Sequence, residues 1–170
     1  MSQRIVIDAC VAQSAGGDEA SASRAKNCRD VLQAILDICH KVVWSDPIRA
    51  EWNTHQSRFA RRFRQSMAAR RKWSPVAIAP DEDLRRKVMA TAANDRDRAA
   101  MDKDFPLIQA AMASDGIIVS ADDRARSLFS AAAQQVGEIR QIMWVSPDDV
   151  VAILEWLDDG APRNAAFELG

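Results

Sequence analysis

The sequence predicts an α/β domain, with three layers (helices, sheet, helices) built around a central parallel sheet of about four or five strands. Two observations predict this fold class. Short runs of β-branched and other apolar residues lack polar alternation, which is typical of strands buried on both faces of a sheet. Between these runs, apolar residues recur at the three- and four-residue spacing of amphipathic helices. Strands that alternate with helices favour parallel pairing through helical crossovers.

The first predicted strand covers residues 5–7 and ends in Asp8. The small-residue stretch at 12–23 is expected to be flexible. Apolar residues from Cys28 to Cys39 then follow helical spacing and predict a crossover helix, with both cysteines on its apolar face. This helix should return the chain to the sheet for a second parallel strand.

The second strand is predicted at residues 42–44. Ser45 and Pro47 indicate the start of the next helix, because an oxygen cap followed by a proline at the first helical position favours one. We expect this helix to run towards Trp73, before the Ser-Pro pair that follows it.

The middle of the chain predicts two further helices. An acidic first turn at 81–83, followed by apolar residues such as Leu84, indicates a helix that ends near Ala99. The charged residues 94–103 are interpreted as a surface connection. Asp104 is expected to open a short helix that Gly116 stops.

The remaining elements complete the alternation of strands and helices. In order, they are a strand at 117–119, a helix at 124–135, a strand at 142–145, a helix at 147–157 and a tail at 160–170 that is expected to fray. We expect residues 1–146 to form the main domain and residues 147–170 to form a C-terminal helix and tail packed on it.

The overall charge is close to zero. The 170 residues include 24 acidic and 23 basic side chains, a formal net charge of −1, which argues against a generally basic nucleic-acid-binding surface. The distribution is uneven, because residues 58–73 contain seven Arg or Lys side chains and no acid. The rest of the chain then has 16 of the 23 bases against all 24 acids.

The expected compartment is the cytoplasm. The three cysteines show no CxxC spacing, which is typical of a reducing environment and offers no zinc site. Only three apolar residues precede Asp8, too few for a signal-peptide core. The longest uncharged run has 11 residues, too short to span a membrane, so no membrane association is expected.

Four carboxylates are expected to meet at one edge of the sheet. Asp8 and Asp122 follow predicted strands, and ligand sites of open α/β sheets lie beyond the carboxyl ends of the strands. Glu51 and Asp104 belong to helices next to those strands. Two carboxylates about 4 Å apart repel by roughly 4 kcal/mol, so protons or a divalent cation must neutralise such a cluster. Oxygen-only ligands favour Mg²⁺ or Mn²⁺ over zinc.

The residues around these acids resemble the four signature blocks of PIN-domain nucleases, in the same order along the chain. The blocks are Ile-Val-Ile-Asp-Ala-Cys at 5–10, Ser-Asp-Pro-Ile-Arg-Ala-Glu-Trp at 45–52, Asp-Phe-Pro-Leu-Ile-Gln-Ala-Ala-Met-Ala at 104–113 and Gly-Ile-Ile-Val-Ser-Ala-Asp at 116–122. The resemblance covers most of the chain, although the segment at 58–98 is longer than in compact members of the family.

The resemblance implies a PIN-like fold and a metal-dependent endoribonuclease that hydrolyses phosphodiester bonds of RNA with Mg²⁺ or Mn²⁺. It implies that Asp8, Glu51, Asp104 and Asp122 are the catalytic, metal-binding acids. Ser120 takes the family's hydroxyl position, and Cys10 stands where the family often has Asn or Ser. Asp123 competes with Asp122 for the last acidic position, but the spacing from Asp104 and Ser120 favours Asp122. Asp123 is then expected to support the site from beside it or to cap the next helix. The toxin-type branch that the chain resembles also implies an antitoxin partner and a homodimer.

The basic segment is interpreted as an RNA-binding helix face. On a helical wheel, Phe59, Phe63 and Met67 share one face, and the opposite arc carries the candidate RNA-binding residues, Arg58, Arg61, Arg62, Arg64 and Lys72. If the helix is continuous from Pro47, some of these arginines lie on the same stripe as Glu51. A solvated surface with no ligand, or a surface for the antitoxin, stays open as an alternative.

The histidines and tryptophans are mostly given structural roles. His40 is expected at a helix end, where a cationic side chain complements the helix dipole, and His55 is a weaker candidate for the border of the site. Trp44 and Trp144 are interpreted as strand packing. Trp52 and Trp73 are left open.

Two alternative functions remain. A PIN-like module without turnover would bind RNA or a protein through the basic segment, with Cys10 and the long middle segment as its indications. A phospho-accepting regulatory domain also places acids beside Mg²⁺ on such a sheet. The sequence disfavours it, because paired acids after strand one and a lysine after the last strand are missing.

Overall fold

The computed structural model describes residues 2–16, 22–55 and 57–170. Its centre is a parallel sheet of five strands in the order β3-β2-β1-β4-β5. The strands are β1 (Arg4–Ile7), β2 (Lys41–Trp44), β3 (Trp73–Pro75), β4 (Ile117–Val119) and β5 (Met143–Val145). The apolar residues of β1, β4 and β5 are fully buried, which explains why these strands lack polar alternation.

Eight α-helices surround the sheet in the described part of the chain. They are α1 (Ala9–Ser14), α2 (Ala22–Asp37), α3 (Asp46–Thr54), α4 (Arg58–Ala69), α5 (Glu82–Met89), α6 (Asp95–Met112), α7 (Asp123–Ala133) and α8 (Val150–Asp158). Helix α2 packs against α1, α4 and α8, whereas α6 packs against α3, α5 and α7. The three-layer α/β/α prediction is therefore confirmed.

The strand order creates a switch point between β1 and β4. The chain leaves β1 towards β2 and β3 on one side, then crosses back through α6 to place β4 on the other side of β1. Connections on either side of β1 and β4 therefore run in opposite directions. In open α/β sheets, the crevice at such a point is the usual ligand site. Asp8 follows β1 and Asp122 follows β4, so both acids lie at this crevice.

The prediction of one helix from Pro47 towards Trp73 is wrong, because α3 and α4 are two separate helices. Ser57 has an extended backbone, and its hydroxyl accepts a hydrogen bond from the Ala60 amide and donates one to the Ala12 carbonyl. This N-cap starts a new helix, as serine caps commonly do. The stripe that would have joined Glu51 to Arg58 and Arg62 therefore does not exist as a single helix face.

The third strand, β3, was not predicted. Helix α4 ends in a Schellman motif, in which the amide of Lys72 bonds to the carbonyl of Met67 and that of Arg71 to the carbonyl of Ala68. Arg71 adopts a left-handed backbone with φ of 54° in this motif. The motif turns the chain directly into the edge strand beside β2.

The middle helices also differ from the prediction. Helix α5 ends at Met89, not near Ala99, and the charged residues 94–103 belong mostly to α6. The Asn94 side chain caps α6 by accepting a hydrogen bond from the amide of Asp97. Asp104 lies inside this helix and does not open it. Buried Met101 and Phe105 continue the apolar face back through the charged stretch.

The two ends of the chain contain further corrections. Part of the stretch expected to be flexible at 12–23 is helical in α1 and α2, and residues 17–21 lie outside the described residues. Cys39 follows α2 and is exposed, so it is not a core residue, whereas Cys28 is. The expected fraying of the tail is wrong: Leu169 is buried, and the Phe167 ring lies 5.3 Å from that of Trp156.

Helix α8 packs against α2 and buries Ile153 and Leu157. These apolar residues are therefore packed inside the chain. Within the described ranges, no helix combines the length and hydropathy that a membrane crossing requires.

Candidate active site

The four predicted acids line one cavity of about 350 Å³ at the switch point. Asp8 follows β1, Glu51 is on α3, Asp104 is on α6, and Asp122 follows β4, so four separate elements contribute one acid each. We call this site the carboxylate cavity. Its other lining residues are Ala9, Cys10, Gln13, Pro47, Ile48, Ala50, His55, Lys103, Pro106 and Leu107.

Asp8 is the most firmly held of the four acids. Its Oδ1 accepts a hydrogen bond from the amide of Cys10 at 3.2 Å. Its Oδ2 accepts one from the Ser120 hydroxyl at 2.7 Å and one from the Cys10 thiol at 3.1 Å. Its own amide bonds to the carbonyl of Val119 at 3.0 Å. The carboxylate is therefore fixed at the end of β1 before any ligand arrives.

Cys10 supports Asp8, although a thiol is a weaker hydrogen-bond donor than a hydroxyl or an amide. Burial, and then the negative charge of Asp8, raise the pKa of this thiol far above its usual value. The thiol therefore stays protonated and donates a hydrogen bond to Asp8. The departure from Asn or Ser at this position preserves the hydrogen bond.

Ser120 connects two of the acids. Its hydroxyl donates to Asp8 and accepts a hydrogen bond from the amide of Asp122 at 3.1 Å. Asp122 in turn caps α7, because its Oδ1 accepts from the amide of Ala125 at 2.8 Å. The residues Ser120 to Asp122 thus form one hydrogen-bonded turn that orients both acids toward the switch point.

The pKa of Asp104 departs clearly from its usual value. Its pKa is raised to about 6, first by burial and then by the negative charge of Asp8, with smaller contributions from Asp122 and Glu51. Lys103 opposes this shift. Because three other acids each disfavour its ionised form, the carboxylates act on one another electrostatically, as the sequence predicted.

Two residues of the cavity carry chemistry that the sequence reasoning missed or underrated. Lys103, assigned to a surface connection, lines the cavity and contributes a positive charge beside Asp104. His55 also lines it, and its Nε2 lies 3.6 Å from Oε2 of Glu51. The i, i+4 spacing from Glu51 was the signal for His55. No sequence signal marked Lys103, because the helix containing it was not predicted.

Asp123 lies apart from the cavity. It is 74% exposed in the first turn of α7, and its carboxylate lies 4.0 Å from the guanidinium of Arg24. Of the two neighbouring acids, only Asp122 lines the cavity. The expectation that Asp123 supports the site is therefore corrected by its position.

The donor set has the chemistry that Mg²⁺ or Mn²⁺ requires, but it is not a closed metal cage. Among the described residues, no group of three or more His, Cys, Asp or Glu is arranged closely enough to hold a metal ion. Mg²⁺ usually keeps several waters and binds through one or two carboxylates together with substrate phosphates. The fixed Asp8 and its neighbours fit that partial type of coordination.

The predicted RNA-binding residues divide into two groups. Arg58, Arg61 and Arg62 are exposed on α4, and Arg64 is partly exposed. Lys72 instead donates to the carbonyls of Leu36 and Ile38, and burial lowers its pKa. Its ammonium therefore closes the C-terminal end of α2, a structural role that the sequence did not indicate.

His40 and Trp52 are structural, as their positions in the core require. His40 is buried, its Nδ1 accepts from the amide of Gln3, and its Nε2 lies 2.9 Å from the Leu157 carbonyl. Burial lowers its pKa, so it is not the helix-end cation that was expected. The Trp52 indole donates to the carbonyl of Ile7 at 3.0 Å, directly behind Asp8.

Comparisons of this chain with protein-family models, with curated proteins and with solved structures found no match.

Proposed function

We propose that this protein is a metal-dependent endoribonuclease of the PIN type, which hydrolyses phosphodiester bonds of RNA. The observation that carries the proposal is the convergence of Asp8, Glu51, Asp104 and Asp122 on one cavity at the switch point of the sheet. The sequence blocks around these acids resemble those of PIN nucleases. The geometry supports the resemblance because each acid comes from a different element and yet all four meet.

Each side chain has a separate proposed role. Asp8, fixed by Ser120 and Cys10, is the principal ligand for Mg²⁺ or Mn²⁺, and Asp104 and Asp122 complete the set. A bound divalent cation would supply Lewis-acid polarisation of a phosphoryl oxygen. Glu51, paired with His55 at the border of the cavity, would orient the incoming water. Lys103 would hold the scissile phosphate by its charge.

The elevated pKa of Asp104 means that protons would compete with a cation for this carboxylate. An acid that is half-protonated near pH 6 cannot be a strong metal ligand until a positive charge lowers its pKa. The cavity is therefore poised to release a proton when a cation binds. This coupling makes metal affinity rise with pH between about 5 and 7.

The biological setting is proposed from the resemblance alone. We propose that the enzyme works in the cytoplasm as the toxin of a toxin-antitoxin pair, with RNA as substrate, an antitoxin protein as partner and a homodimer as its assembly. The exposed arginines of α4 support a partner that is either polyanionic or acidic. Both RNA phosphates and the acidic side chains of a protein would neutralise their charge.

An RNA cleavage assay tests the activity. The purified protein should cut single-stranded RNA in Mn²⁺ or Mg²⁺, and an excess of chelator should abolish cleavage. Cleavage that persists in chelator would contradict a metal-dependent mechanism. The absence of cleavage with either metal, in a folded protein that still binds RNA, would favour the second candidate.

That second candidate is a PIN-like binding module without turnover. The observation in its favour is that no three acid, His or Cys side chains of the described chain form a ready metal cage. Such a module would bind RNA or a protein partner through the arginines of α4. It predicts binding that is indifferent to substitution of Asp8 or Asp104.

A further inference from the structure

A second concave site lies beside α4, away from the carboxylate cavity. It has a volume of about 370 Å³ and is lined by Trp44, Arg61, Arg64, Gln65, Ala68 and Trp73, which we call the Trp–Arg groove. Among the described residues that line it are two indoles and two guanidinium groups, and none of them is an acid. The volume falls in the range of about 300–1,000 Å³ that is usual for small-molecule sites.

The two indoles of the groove are held by the sheet. Trp44 ends β2 and Trp73 begins β3, and their ring centroids lie 4.3 Å apart at an angle of 45°. The buried ring of Trp52 meets both edge-on from inside, at 5.7 Å and 6.4 Å. Trp44 and Trp73 stay partly exposed. The groove thus presents rigid aromatic surface, which strand packing alone does not require.

The cations of the groove come from one face of α4. Residues 61 and 64 are three apart and so lie next to each other on the helix surface. The guanidinium carbon of Arg64 lies 5.0 Å from the centroid of the Trp44 ring, a cation–π contact, and its Nη1 donates to Oδ1 of Asn53 at 2.8 Å. The Arg61 side chain is exposed and makes no ion pair or hydrogen bond within the described residues.

We propose that the Trp–Arg groove binds a nucleobase of single-stranded RNA. The base stacks on Trp44 or Trp73, and Arg61 and Arg64 contact the adjoining phosphates. Every base has a flat π-face, and an aromatic surface combined with cations that follow the backbone is the usual way to hold an unpaired strand. This inference rests on the proposed function, since it assigns a second contact to the same RNA substrate.

Helix α3 connects the groove with the carboxylate cavity. Glu51 lines the cavity, and Asn53, two residues further along the same helix, holds Arg64 of the groove. The two sites therefore lie on either side of one short helix. A strand that stacks a base in the groove would continue over α3 toward the acids, so the groove selects unpaired RNA and positions it for cleavage.

A crosslinking experiment on the wild-type protein tests the location. Single-stranded RNA with bromouridine at one position is bound to the protein in the presence of a chelator, and the complex is irradiated. The crosslinked peptide is then identified by mass spectrometry. The expected attachment is to Trp44 or Trp73. Efficient crosslinking confined to other residues, at every bromouridine position, would overturn the proposal.

Affinity measurements test the energetics under the same chelated conditions. Trp73→Ala should weaken binding between about 5- and 150-fold, the loss of stacking of one base, whereas Trp73→Phe should retain most of the affinity. Arg61→Ala should make the dependence of log affinity on log salt concentration shallower by about 0.7. Because Arg61 is exposed, this second variant keeps the test valid if Trp73→Ala fails to fold.

The matched control is Arg86→Ala on α5, since Arg86 is also exposed but is paired with Asp83. It should leave affinity and salt dependence unchanged. Equal losses in Arg61→Ala and Arg86→Ala would mean a nonspecific charge effect and would overturn the groove. Unchanged binding in both groove variants, with metal-dependent cleavage intact, would also overturn it while the nuclease proposal stands. Binding that depends on the groove, without any cleavage, would support the groove and contradict the nuclease proposal.

Discussion

The carboxylate cavity and the Trp–Arg groove hold their charges in opposite ways. In the cavity, hydrogen bonds from Ser120 and Cys10 fix Asp8. Burial, and then the negative charge of Asp8, raise the pKa of Asp104. In the groove, no acid is among the described lining residues, and the guanidinium of Arg64 lies over the Trp44 ring. We propose that a cation completes the first site and that an anion with a flat apolar group completes the second.

The surface formed by α5 and α6 shows that this difference is not a matter of charge density. It is also rich in basic residues, but Arg85 pairs with Asp102 at 2.6 Å and Lys87 with Glu138 at 2.9 Å. Arg58, Arg61 and Arg62 of α4 make no such pairs within the described ranges. Whether basic side chains are paired with acids of the same protein, more than how many there are, distinguishes a binding surface from a solvated one. The variants below test this distinction, beginning with the largest expected effect.

Asp8→Asn and Asp104→Asn should separate turnover from binding. Each removes a charge that the proposed cation requires, which is worth several kcal/mol of transition-state stabilisation, or about 10³-fold in kcat. Affinity for RNA in chelator should change by less than about threefold, because the groove lies elsewhere. Single-turnover cleavage and equilibrium binding measure the two quantities.

Asp122→Asn and Asp123→Asn form a matched pair for the same comparison. The first acid lines the cavity and the second pairs with Arg24 outside it. Only Asp122→Asn should lose turnover. An equal loss in Asp123→Asn would show that the two acids share the role and that their positions do not separate them.

Ser120→Ala should give the next largest effect. It removes the hydroxyl that donates to Asp8 and accepts from the amide of Asp122, and the loss of such an orienting group typically costs about 10- to 100-fold. The decrease should appear in kcat, with KM for RNA nearly unchanged. Ser127→Ala is the control, since the Ser127 hydroxyl only bonds to a carbonyl within α7. Equal rates in the two variants would mean that the orientation of Asp8 does not depend on Ser120.

The double variant Arg58→Ala, Arg62→Ala tests the basic surface beyond the groove. These two exposed cations make no ion pair within the described residues. Removing them should weaken RNA binding several-fold at about 0.15 M salt and make the salt dependence shallower. The first turnover at saturating RNA should keep its wild-type rate. If these residues only solvate the helix, affinity and salt slope will match those of the wild type.

Asp104→Asn should also stabilise the protein without metal, which is the smallest effect. Because folding raises the pKa of Asp104 to about 6, the folded state binds this proton more tightly than the unfolded chain, and the free energy of unfolding falls as pH rises from about 4 to 6. The shift sets an upper limit near 3 kcal/mol, and screening of this half-buried group reduces the expected gain to about 1 kcal/mol.

Thermal unfolding in chelator measures this gain. At neutral pH, Asp104→Asn should raise Tm by about 2–4 °C, and the difference from the wild type should vanish near pH 4. Addition of Mn²⁺ should raise the Tm of the wild type more than that of the variant. A lower Tm for the variant at neutral pH would mean that Asp104 is stabilising and not strained by its neighbours.

Much of the fold and the site follows from local signals in the sequence. Buried runs such as residues 5–7 and 117–119 predict the strands, and the alternation with helices predicts their parallel order. The acids after these strands then meet, because parallel strands place their carboxyl ends at one edge. This argument brings Asp8 and Asp122 together, whereas Glu51 and Asp104 lie on the neighbouring helices α3 and α6.

The missed features depend on contacts that the sequence does not display. The break before α4 has a local signal in Ser57, but that serine is one of many that are not caps. The charged start of α6 is helical because Met101 and Phe105 pack on the core, which a charge count does not show. The Trp–Arg groove exists only because β3 pairs with β2 and brings Trp73 beside Trp44.

The most direct test of the central claim is a crystal structure of the protein soaked in Mn²⁺, with the metal located by its anomalous scattering. We expect Mn²⁺ among Asp8, Asp104 and Asp122, with Glu51 near it or one water away, and no Mn²⁺ at this place in crystals of Asp8→Asn. A cavity that holds no Mn²⁺ at saturating concentration, or Mn²⁺ bound only elsewhere on the surface, would contradict the claim that these acids form a metal-dependent active site.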